Sequence, residues 1–270
     1  MNCKICNNTC RCLFSANLLL KYDVKYYLCE NCGFLQTEEP YWLNEAYTET
    51  INSTDTGLLQ RNITLARQIT PILYYFFDKN AKFLDWAGGY GIFTRLMRDI
   101  GFDFYWGDPY CKNLFARGFE YNSEIHDITL VTTFESFEHF TNPITEIQKM
   151  LSVSKNIIFT TNLLPEKVPA PEDWWYYGLE HGQHISFYSK KTLEFIAGKF
   201  GINLLSADGL NIFSGKPLNK LYANILLGKR GGLPRRYFAK YLLNKCLKKL
   251  PSKTETDMKY LIAEAEHREP

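Results

Sequence analysis

The stretch Lys82–Gly91, which reads KFLDWAGGYG, decides the fold. Its first half is a short apolar run that predicts a buried strand, and its second half is a loop of small residues. The helical pattern of Ile92–Ile100 follows directly, so the stretch begins a strand–loop–helix unit. No Gly-Lys-Ser/Thr follows the glycines, which excludes a P-loop, and Thr94 stands where a GxGxxG motif has its third small residue.

Two acidic residues indicate what this loop binds. Asp85 ends the strand just before the glycines, and a carboxylate there works against a phosphate ligand and favours a cationic one. Asp108 lies seventeen residues beyond Gly91 (108 − 91), at the end of the next predicted strand, where an acid can accept both hydroxyls of a ribose. A ligand with a ribose, a positive charge and no phosphate is S-adenosylmethionine (SAM).

The pattern around this unit predicts a doubly wound α/β sheet, because strands alternate with helices. A helix is predicted over Leu58–Phe77, with Pro71 kinking or dividing it. The further predicted strands are Phe102–Trp106, Ile128–Phe134, Asn156–Thr161 and an edge hairpin over Asn203–Phe213, and the further helices are Pro143–Leu151 and Ser189–Gly201. Ligands of such a sheet bind beyond the carboxyl ends of its strands.

These motifs resemble those of the class I SAM-dependent methyltransferases over about residues 58–213. The family's first motif is an acid, one residue and then alternating small residues, here Asp85 to Gly91 with Ala87 in place of the usual first glycine. That replacement is expected to cost little. The segment FESFEHF at 134–140 and the helix start at Asn142-Pro143 look like the family's region after its fourth strand.

The resemblance implies a Rossmann-like methyltransferase sheet and a set of SAM-binding residues. Asp85 would orient the loop and the methionine amine, and Gly89 would let the backbone approach the cofactor. Ala87 is also among the implied cofactor-binding residues. Asp108 would hold the ribose, and Phe134 would lie near the adenine or the sulfonium. Glu138-His139 is interpreted as a structural pair at a helix start and is not assigned to the chemistry.

Arg61 is a further candidate, upstream of the loop. It could pair with the cofactor carboxylate, which suits a bidentate guanidinium, or it could face solvent.

The N-terminus carries a second site type. Six of the eight cysteines fall in the first 32 residues, and two CxxC pairs are separated by 22 residues, the second followed by Gly33. Such knuckles supply a tetrahedral thiolate site for structural zinc, and a knuckle often needs a glycine with positive φ. The predicted zinc ligands are Cys3, Cys6, Cys29 and Cys32.

Two alternatives to this ligand set stay open. Cys10 and Cys12 compete as ligands, and the thiols could instead be reactive or spare. Tyr22–Leu28 alternates as a strand, as in a zinc ribbon, and a module of this size needs the metal to fold because it buries little apolar area.

Composition sets the broad class. The 270 residues are 46% hydrophobic and 22% charged, which excludes disordered and low-complexity classes. The net charge of +2 is too small to favour electrostatic binding to nucleic acid. No apolar run is long enough to cross a membrane. The N-terminus has no signal-peptide pattern, so we expect a cytoplasmic protein with reduced thiols.

A loop after the Asn156–Thr161 strand is the candidate acceptor site. Glu180, His181, Gln183 and His184 follow four aromatic residues at 174–177. His181 is the expected general base, with Glu180 either supporting the imidazole or binding substrate hydroxyls, and His184 is the second candidate. Alternatively, Gln183 and His184 satisfy buried backbone groups and the tryptophans cap the sheet. The aromatic rings at 174–177 suit the apolar face of a sugar, but contact with adenine or core packing would use them too.

The zinc motif, the class I motifs and the Glu180-His181 loop together resemble the zinc-containing sugar methyltransferases of deoxysugar and surface-polysaccharide synthesis. The resemblance implies a sugar or nucleotide-sugar acceptor and a histidine base next to a glutamate. Gly182-Gln183-His184 looks closer to the polysaccharide-linked relatives, which leaves C- and O-methylation both open.

Residues 216–253 form a basic, aromatic-rich tail that predicts amphipathic helix. Three uses compete: packing on the core, contact with an anionic membrane or a polysaccharide-assembly partner, and a grip on a nucleotide diphosphate. The predicted domains are a zinc-binding module at 1–40, a methyltransferase domain at 41–215 and the tail at 216–270.

The rival reading is an RNA methyltransferase that grips its substrate with the ribbon and the tail. The near-neutral charge argues against it, as does Thr132-Thr133-Phe134-Glu135 in the place of an Asn-Pro-Pro-Tyr signature.

Overall fold

The computed structural model describes residues 1–48, 55–207, 209–219 and 233–267, with side chains from 237 onward in the last range. They form two compact units, each built from two stretches of chain. Unit 1 contains Met1–Asp55 and Thr133–Pro217, and unit 2 contains Thr56–Thr132 and Leu218–Pro270. The sequence-based domains are continuous, and their boundaries stay predictions.

The strands and helices of the described residues alternate along the central part of the chain. The strands are β1 Arg11–Leu18, β2 Tyr22–Leu28, β3 Leu35–Thr37, β4 Lys82–Trp86, β5 Asp103–Gly107, β6 Ile128–Thr133, β7 Ile157–Thr160, β8 Ser186–Phe187, β9 Asn203–Ala207 and β10 Leu210–Ser214. The helices are α1 Leu43–Ala46, α2 Leu58–Phe76, α3 Ile92–Ile100, α4 Pro143–Val153, α5 Lys190–Phe200, α6 Leu233–Leu247 and α7 Thr254–Glu266.

Unit 1 contains an antiparallel sheet that joins the N-terminal strands to a distant part of the chain. Its order is β1-β2-β3-β8. Tyr26, Trp42, Tyr177 and Phe187 are buried in one core on this sheet. The N-terminal strands therefore bury apolar surface against residues 164–187, and not only within their own 40 residues.

Unit 1 also contains strands β7, β10 and β9, which pair antiparallel in that order. The last two form the hairpin predicted at Asn203–Phe213. Helix α5 precedes them and begins with a capping box, in which the Ser189 hydroxyl accepts the Thr192 N–H.

Unit 2 holds the strand–loop–helix that the sequence singles out. β4 pairs in parallel with β5 on one side and β6 on the other. The buried rings of Phe83 and Phe104 stack across β4 and β5 with centroids 5.2 Å apart. The parallel pairing and the intervening helices confirm the α/β prediction and give a Rossmann-like arrangement.

Of the two effects predicted for Pro71, division of the helix is wrong, and a kink stays a prediction. Pro71 does not divide the predicted helix, because α2 runs unbroken from Leu58 to Phe76. Proline removes one backbone hydrogen bond, but Ile69, Ile72 and Leu73 around it are fully buried, and their packing holds the helix together.

The described part of the tail packs on unit 2. Arg98 on α3 forms a bidentate pair with Asp257 on α7, from Nε to Oδ2 at 2.8 Å and from Nη2 to Oδ1 at 2.7 Å. Arg98 also donates from Nη1 to Asp103 Oδ1 and to the Phe104 carbonyl, both at 2.8 Å. This buried network attaches α7 to α3, whereas the three uses predicted for residues 216–253 stay predictions.

The structure describes only part of the basic segment of the tail. Lys229 and Arg230 lie outside the described residues, as do the side chains of Arg235 and Arg236. Among the helices that the structure describes, none has the length and apolarity needed to cross a membrane.

Candidate functional site

The glycine loop, residues 87–91, has a backbone that bends sharply between β4 and α3. Ala87, Gly89 and Gly91 all have positive φ, at +56°, +54° and +83°. The Trp106 indole N–H donates to the Gly89 carbonyl at 2.9 Å and fixes the loop from β5. Because Ala87 is not glycine, its left-handed backbone is strained, so the expectation that this replacement costs little underestimates it.

Asp85 lies under this loop and is only 2% exposed. Its two carboxylate oxygens accept hydrogen bonds from the Thr94 hydroxyl at 3.0 Å and the Thr132 hydroxyl at 3.1 Å. Burial raises the pKa of Asp85 to about 7, even though the two hydroxyls oppose the shift. A Cβ added to Gly88 would lie 2.8 Å from the Asp85 carboxylate, so only glycine fits there.

Asp108 follows β5 and bonds three backbone N–H groups. Oδ2 accepts the Gly89 N–H at 2.9 Å, and Oδ1 accepts those of Tyr110 at 2.8 Å and Cys111 at 3.0 Å. A carboxylate has about four lone-pair directions, so one is left for a ribose hydroxyl. Accepting both hydroxyls would require one of the three N–H bonds to break.

The other two SAM candidates are partly buried. Arg61 lies in the first turn of α2 in unit 2, where its N–H donates to the Gly57 carbonyl. Phe134 follows β6 and belongs to unit 1.

Sequence reasoning missed the residues that hold the loop. Thr94 and Thr132 bind Asp85, and Trp106 binds Gly89. The signal that could have found Thr94 is its place at the third position of a GxGxxG frame, where its hydroxyl follows the acid that ends β4.

The N-terminal thiols of unit 1 converge. The sulfur atoms of Cys3 and Cys32 are 3.5 Å apart and those of Cys6 and Cys29 are 3.4 Å apart. All four Sγ atoms lie within 4.8 Å of one another. Gly33 has a φ of +73°, which confirms the positive φ predicted for it.

The competing thiols lie outside this group of four. Cys12 is exposed on β1, and Cys10 is buried.

A second cluster, the histidine cluster, is defined by Glu138, His139, His181 and His184 in unit 1. The rings of His139 and His184 have centroids 5.0 Å apart, and those of His181 and His184 are 4.7 Å apart. Glu138 is fully buried, and its carbonyl accepts the Ile185 N–H at 2.9 Å, which joins the segment after β6 to the acceptor loop.

Hydrogen bonds indicate opposite tautomers for the rings of His181 and His184. His181 Nδ1 accepts the Gln183 N–H at 3.1 Å, so its ring hydrogen is on Nε2. His184 Nδ1 lies 2.6 Å from the Tyr176 carbonyl, so its hydrogen is on Nδ1 and its lone pair is on Nε2.

Burial keeps these rings neutral. It lowers the pKa of His139 to about 4 and that of His184 to about 2. Burial also lowers the pKa of His181, while the charge of exposed Glu180 opposes that shift.

The aromatic segment before this loop has two roles. Tyr176 and Tyr177 are fully buried, and Tyr177 donates to the Pro169 carbonyl, so both belong to the core. Trp175 is 74% exposed. The core interpretation therefore holds for the two tyrosines and fails for Trp175.

Comparison with known families gives one match over much of the chain. Residues 59–207 match the family described as "Methyltransferase domain". This range contains the glycine loop, both acids and the histidine cluster. No curated protein matches the chain.

Solved structures with low identity are also similar. TnmH is 13% identical with a TM-score of 0.44, over 64% of this chain and 60% of TnmH. OxaC, crystallised with sinefungin and meleagrin, is 16% identical with a TM-score of 0.39, over 50% of this chain and 42% of OxaC. The magnesium protoporphyrin IX methyltransferase of Synechocystis PCC 6803, with bound SAM, is 11% identical with a TM-score of 0.38, over 64% and 90% of the two chains. The chain thus spans less than two thirds of TnmH and OxaC.

Proposed function

Since the chain belongs to this family of SAM-dependent methyltransferases, we propose that it transfers a methyl group from SAM to a sugar, either nucleotide-linked or part of a surface glycan. The observation that carries the sugar proposal is the acceptor loop. There, the partly buried rings of His181 and His184 follow the exposed side chains of Trp175 and Glu180. A histidine next to a glutamate is the feature that this loop shares with the zinc-containing sugar methyltransferases that the sequence resembles.

The cofactor-binding residues we propose are those of unit 2. The glycine loop would take the methionine part of SAM above Asp85, and Asp108 would take a ribose hydroxyl with its remaining lone-pair direction. The absence of a side chain at Gly88 supports this, because an added Cβ would collide with Asp85 and force the backbone of the loop away from the carboxylate. SAM supplies an electrophilic methyl group on a sulfonium.

Acceptor recognition is assigned to exposed residues of the loop. The ring of Trp175 would stack on the apolar face of a sugar, and the Glu180 carboxylate would accept its hydroxyls. Both side chains reach solvent, whereas their neighbours Tyr176 and Tyr177 do not.

His181 is the proposed general base. It would take the proton from a hydroxyl in O-methylation, or from the carbon beside a ketone in C-methylation. The hydrogen bond from the Gln183 N–H to its Nδ1 would first have to break, which costs about 1 kcal/mol for a hydrogen bond of this type. A Cβ at Gly178 would collide with the His181 ring, so glycine makes room for this imidazole.

We also propose a structural zinc ion held by Cys3, Cys6, Cys29 and Cys32. Four protein thiolates fill a tetrahedral shell and leave no position for catalysis. The Ile5 N–H points at the Cys3 sulfur at 3.4 Å, a backbone bond that stabilises a metal-bound thiolate. Helix α7 of the tail packs on α3. We propose that the basic segment at 216–253, which the structure describes only in part, contacts a membrane or an assembly partner.

A label-transfer assay tests the proposal. Purified full-length protein and methyl-labelled SAM are incubated with cell extract separated into small molecules, polysaccharide and RNA. We expect label in the small-molecule or polysaccharide fraction, and a loss on the order of 10²–10⁴ in rate for His181→Gln. The matched control is His126→Gln, which changes an exposed histidine of unit 2. Label in RNA alone would overturn the sugar acceptor.

A further inference from the structure

We propose that Glu138, His139 and His184 form a binding site for a divalent first-row transition-metal ion, separate from the cysteine site. Each residue offers one ligand atom, and the three atoms lie within 4.8 Å of one another. An ion about 2.0–2.2 Å from each ligand would draw these atoms together by small side-chain rotations.

Hydrogen bonds to the backbone orient both imidazoles as ligands. His184 donates from Nδ1 to the Tyr176 carbonyl at 2.6 Å, and His139 Nδ1 lies 3.1 Å from the Gln183 carbonyl and 2.9 Å from the Tyr47 hydroxyl. Each ring therefore carries its hydrogen on Nδ1 and has its lone pair on Nε2. Metal-bound histidines show this arrangement, in which a carbonyl or carboxylate fixes the tautomer of the coordinating ring.

The chemistry of the donor set selects the class of ion. Two neutral imidazoles and one carboxylate suit Zn²⁺, Fe²⁺, Mn²⁺ or Co²⁺, whereas Ca²⁺ and Mg²⁺ prefer oxygen ligands. Glu138 is fully buried, and a cation beside it would offset the cost of a carboxylate charge in that position.

Chain connectivity explains why sequence reasoning did not assign this site. Glu138 and His139 lie on a single 3-10 turn, Phe137–His139, after β6, and His184 comes from the acceptor loop 45 residues later (184 − 139). The Ile185 N–H to Glu138 carbonyl bond at 2.9 Å holds the two segments together.

Three protein ligands leave positions for a substrate oxygen. The ion site stands whichever acceptor the enzyme uses, and only its part in catalysis rests on the proposed function. An acceptor hydroxyl on the ion would have a lowered pKa, and its proton would pass to His181 beside His184. In O-methylation the acceptor oxygen would bond the methyl carbon as the carbon–sulfur bond of SAM breaks, and the electron pair would stay on sulfur to give a neutral thioether.

Cobalt loading of the full-length protein tests the site without measuring activity. We expect about two Co²⁺ per chain, one with thiolate-to-cobalt charge-transfer absorption and one without it. Glu138→Gln and His184→Gln should each weaken the second site by at least about 10–100-fold, the loss typical of disturbed metal sites. Cys6→Ser should affect only the thiolate site.

His181→Gln is the matched control, because its ring contacts His184 but is not one of the three ligands. A single Co²⁺ per chain in the wild-type protein, with thiolate absorption, would overturn the proposal, as would unchanged affinity in both ligand variants. If Co²⁺ binds as expected but label transfer is the same in Glu138→Gln as in the wild type, then the ion site stands and its catalytic part is wrong. If the wild-type protein transfers no label to any fraction, the proposed function is wrong and the ion site is unaffected.

Discussion

The glycine loop of unit 2 and the histidine cluster of unit 1 are built in opposite ways. The loop and its two acids lie within 24 residues of chain, counted from Asp85 to Asp108, and hydrogen bonds to neighbouring strands hold them. The histidine cluster collects side chains from the segment after β6 and from a loop more than 40 residues later. Short-range geometry thus forms one site, and tertiary packing forms the other.

This difference predicts how each site responds to change. A site fixed by local bonds should respond to substitutions that alter its own charge or backbone strain. A site fixed by packing should respond to substitutions that change the space around it.

The largest expected effect is the pH dependence that Asp85 imposes on stability. Its pKa is about 7 in the folded protein and about 3.9 in the unfolded chain. At pH values between these two, the carboxyl group is protonated in the folded state and ionised in the unfolded state. The free energy of unfolding should therefore fall as pH rises from about 4 to about 7, by up to about 4 kcal/mol from this group. Denaturation of the wild type and Asp85→Asn at several pH values measures it.

The Asn variant is the control, since it cannot ionise and both threonine hydroxyls can still bond it. We expect its stability to exceed that of the wild type by a margin that grows with pH. If the free energy of unfolding has the same slope against pH in both proteins, then Asp85 is ionised at neutral pH and its burial does not destabilise the folded protein as pH rises.

Space around the histidine cluster gives the next effect. Gly178 has a φ of +59°, and an added Cβ would collide with the His181 ring. Gly178→Ala should reduce turnover by at least about 10²-fold, the loss expected for a displaced base, while SAM affinity stays the same. Steady-state kinetics and calorimetric titration with SAM separate the two.

Gly201→Ala is the matched control for backbone strain. Its φ is +62°, yet no atom lies within 4 Å of an added Cβ. It should cost about 1 kcal/mol of stability and leave turnover unchanged. Equal losses of turnover in both variants would mean that strain, and not the space for His181, controls the cluster.

Most of unit 2 could be predicted from the sequence, for a physical reason. Strand and helix patterns are local: α3 has the predicted bounds, Ile92–Ile100, and β4 ends at Trp86, one residue beyond the predicted strand end at Asp85. The bond between Asp108 and Gly89 also follows from two adjacent parallel strands, since their carboxyl ends share an edge.

The histidine cluster could not be predicted in the same way. The contacts of His139 with His184 depend on where a long loop returns, and no periodicity encodes that. Glu138-His139 could be interpreted as a local helix-start pair because nothing near it in the chain suggested a partner. The sharing of one core by Tyr26 and Phe187 was hidden for the same reason.

Removing the charge of Asp108 should have a moderate effect on the cofactor site. The Asp108 carboxylate accepts hydrogen bonds from three backbone N–H groups. In Asp108→Asn, the side-chain NH₂ would face one of these N–H groups, and that hydrogen bond would be lost. We expect SAM affinity to fall about 10–100-fold, since hydrogen bonds to charged groups contribute about 1.5–3 kcal/mol. Asp78→Asn serves as the control, because that carboxylate accepts one exposed N–H outside the loop. Undiminished SAM affinity in Asp108→Asn would remove the ribose assignment.

The smallest effect tests whether local strain, rather than local charge, limits the glycine loop. Ala87 has a φ of +56°, so Ala87→Gly should relieve a left-handed strain of roughly 1–2 kcal/mol and lose about 0.4–1 kcal/mol through the freer unfolded chain. The net gain in unfolding free energy should be up to about 1 kcal/mol, measured by denaturation. Ala66→Gly in α2 has the opposite expectation, a loss of about 1 kcal/mol, because glycine weakens a helix interior. If both variants lose stability, then bonds such as that from Trp106 to Gly89 hold the loop tightly enough for alanine to be unstrained at 87, and the contrast with the packed histidine cluster would weaken.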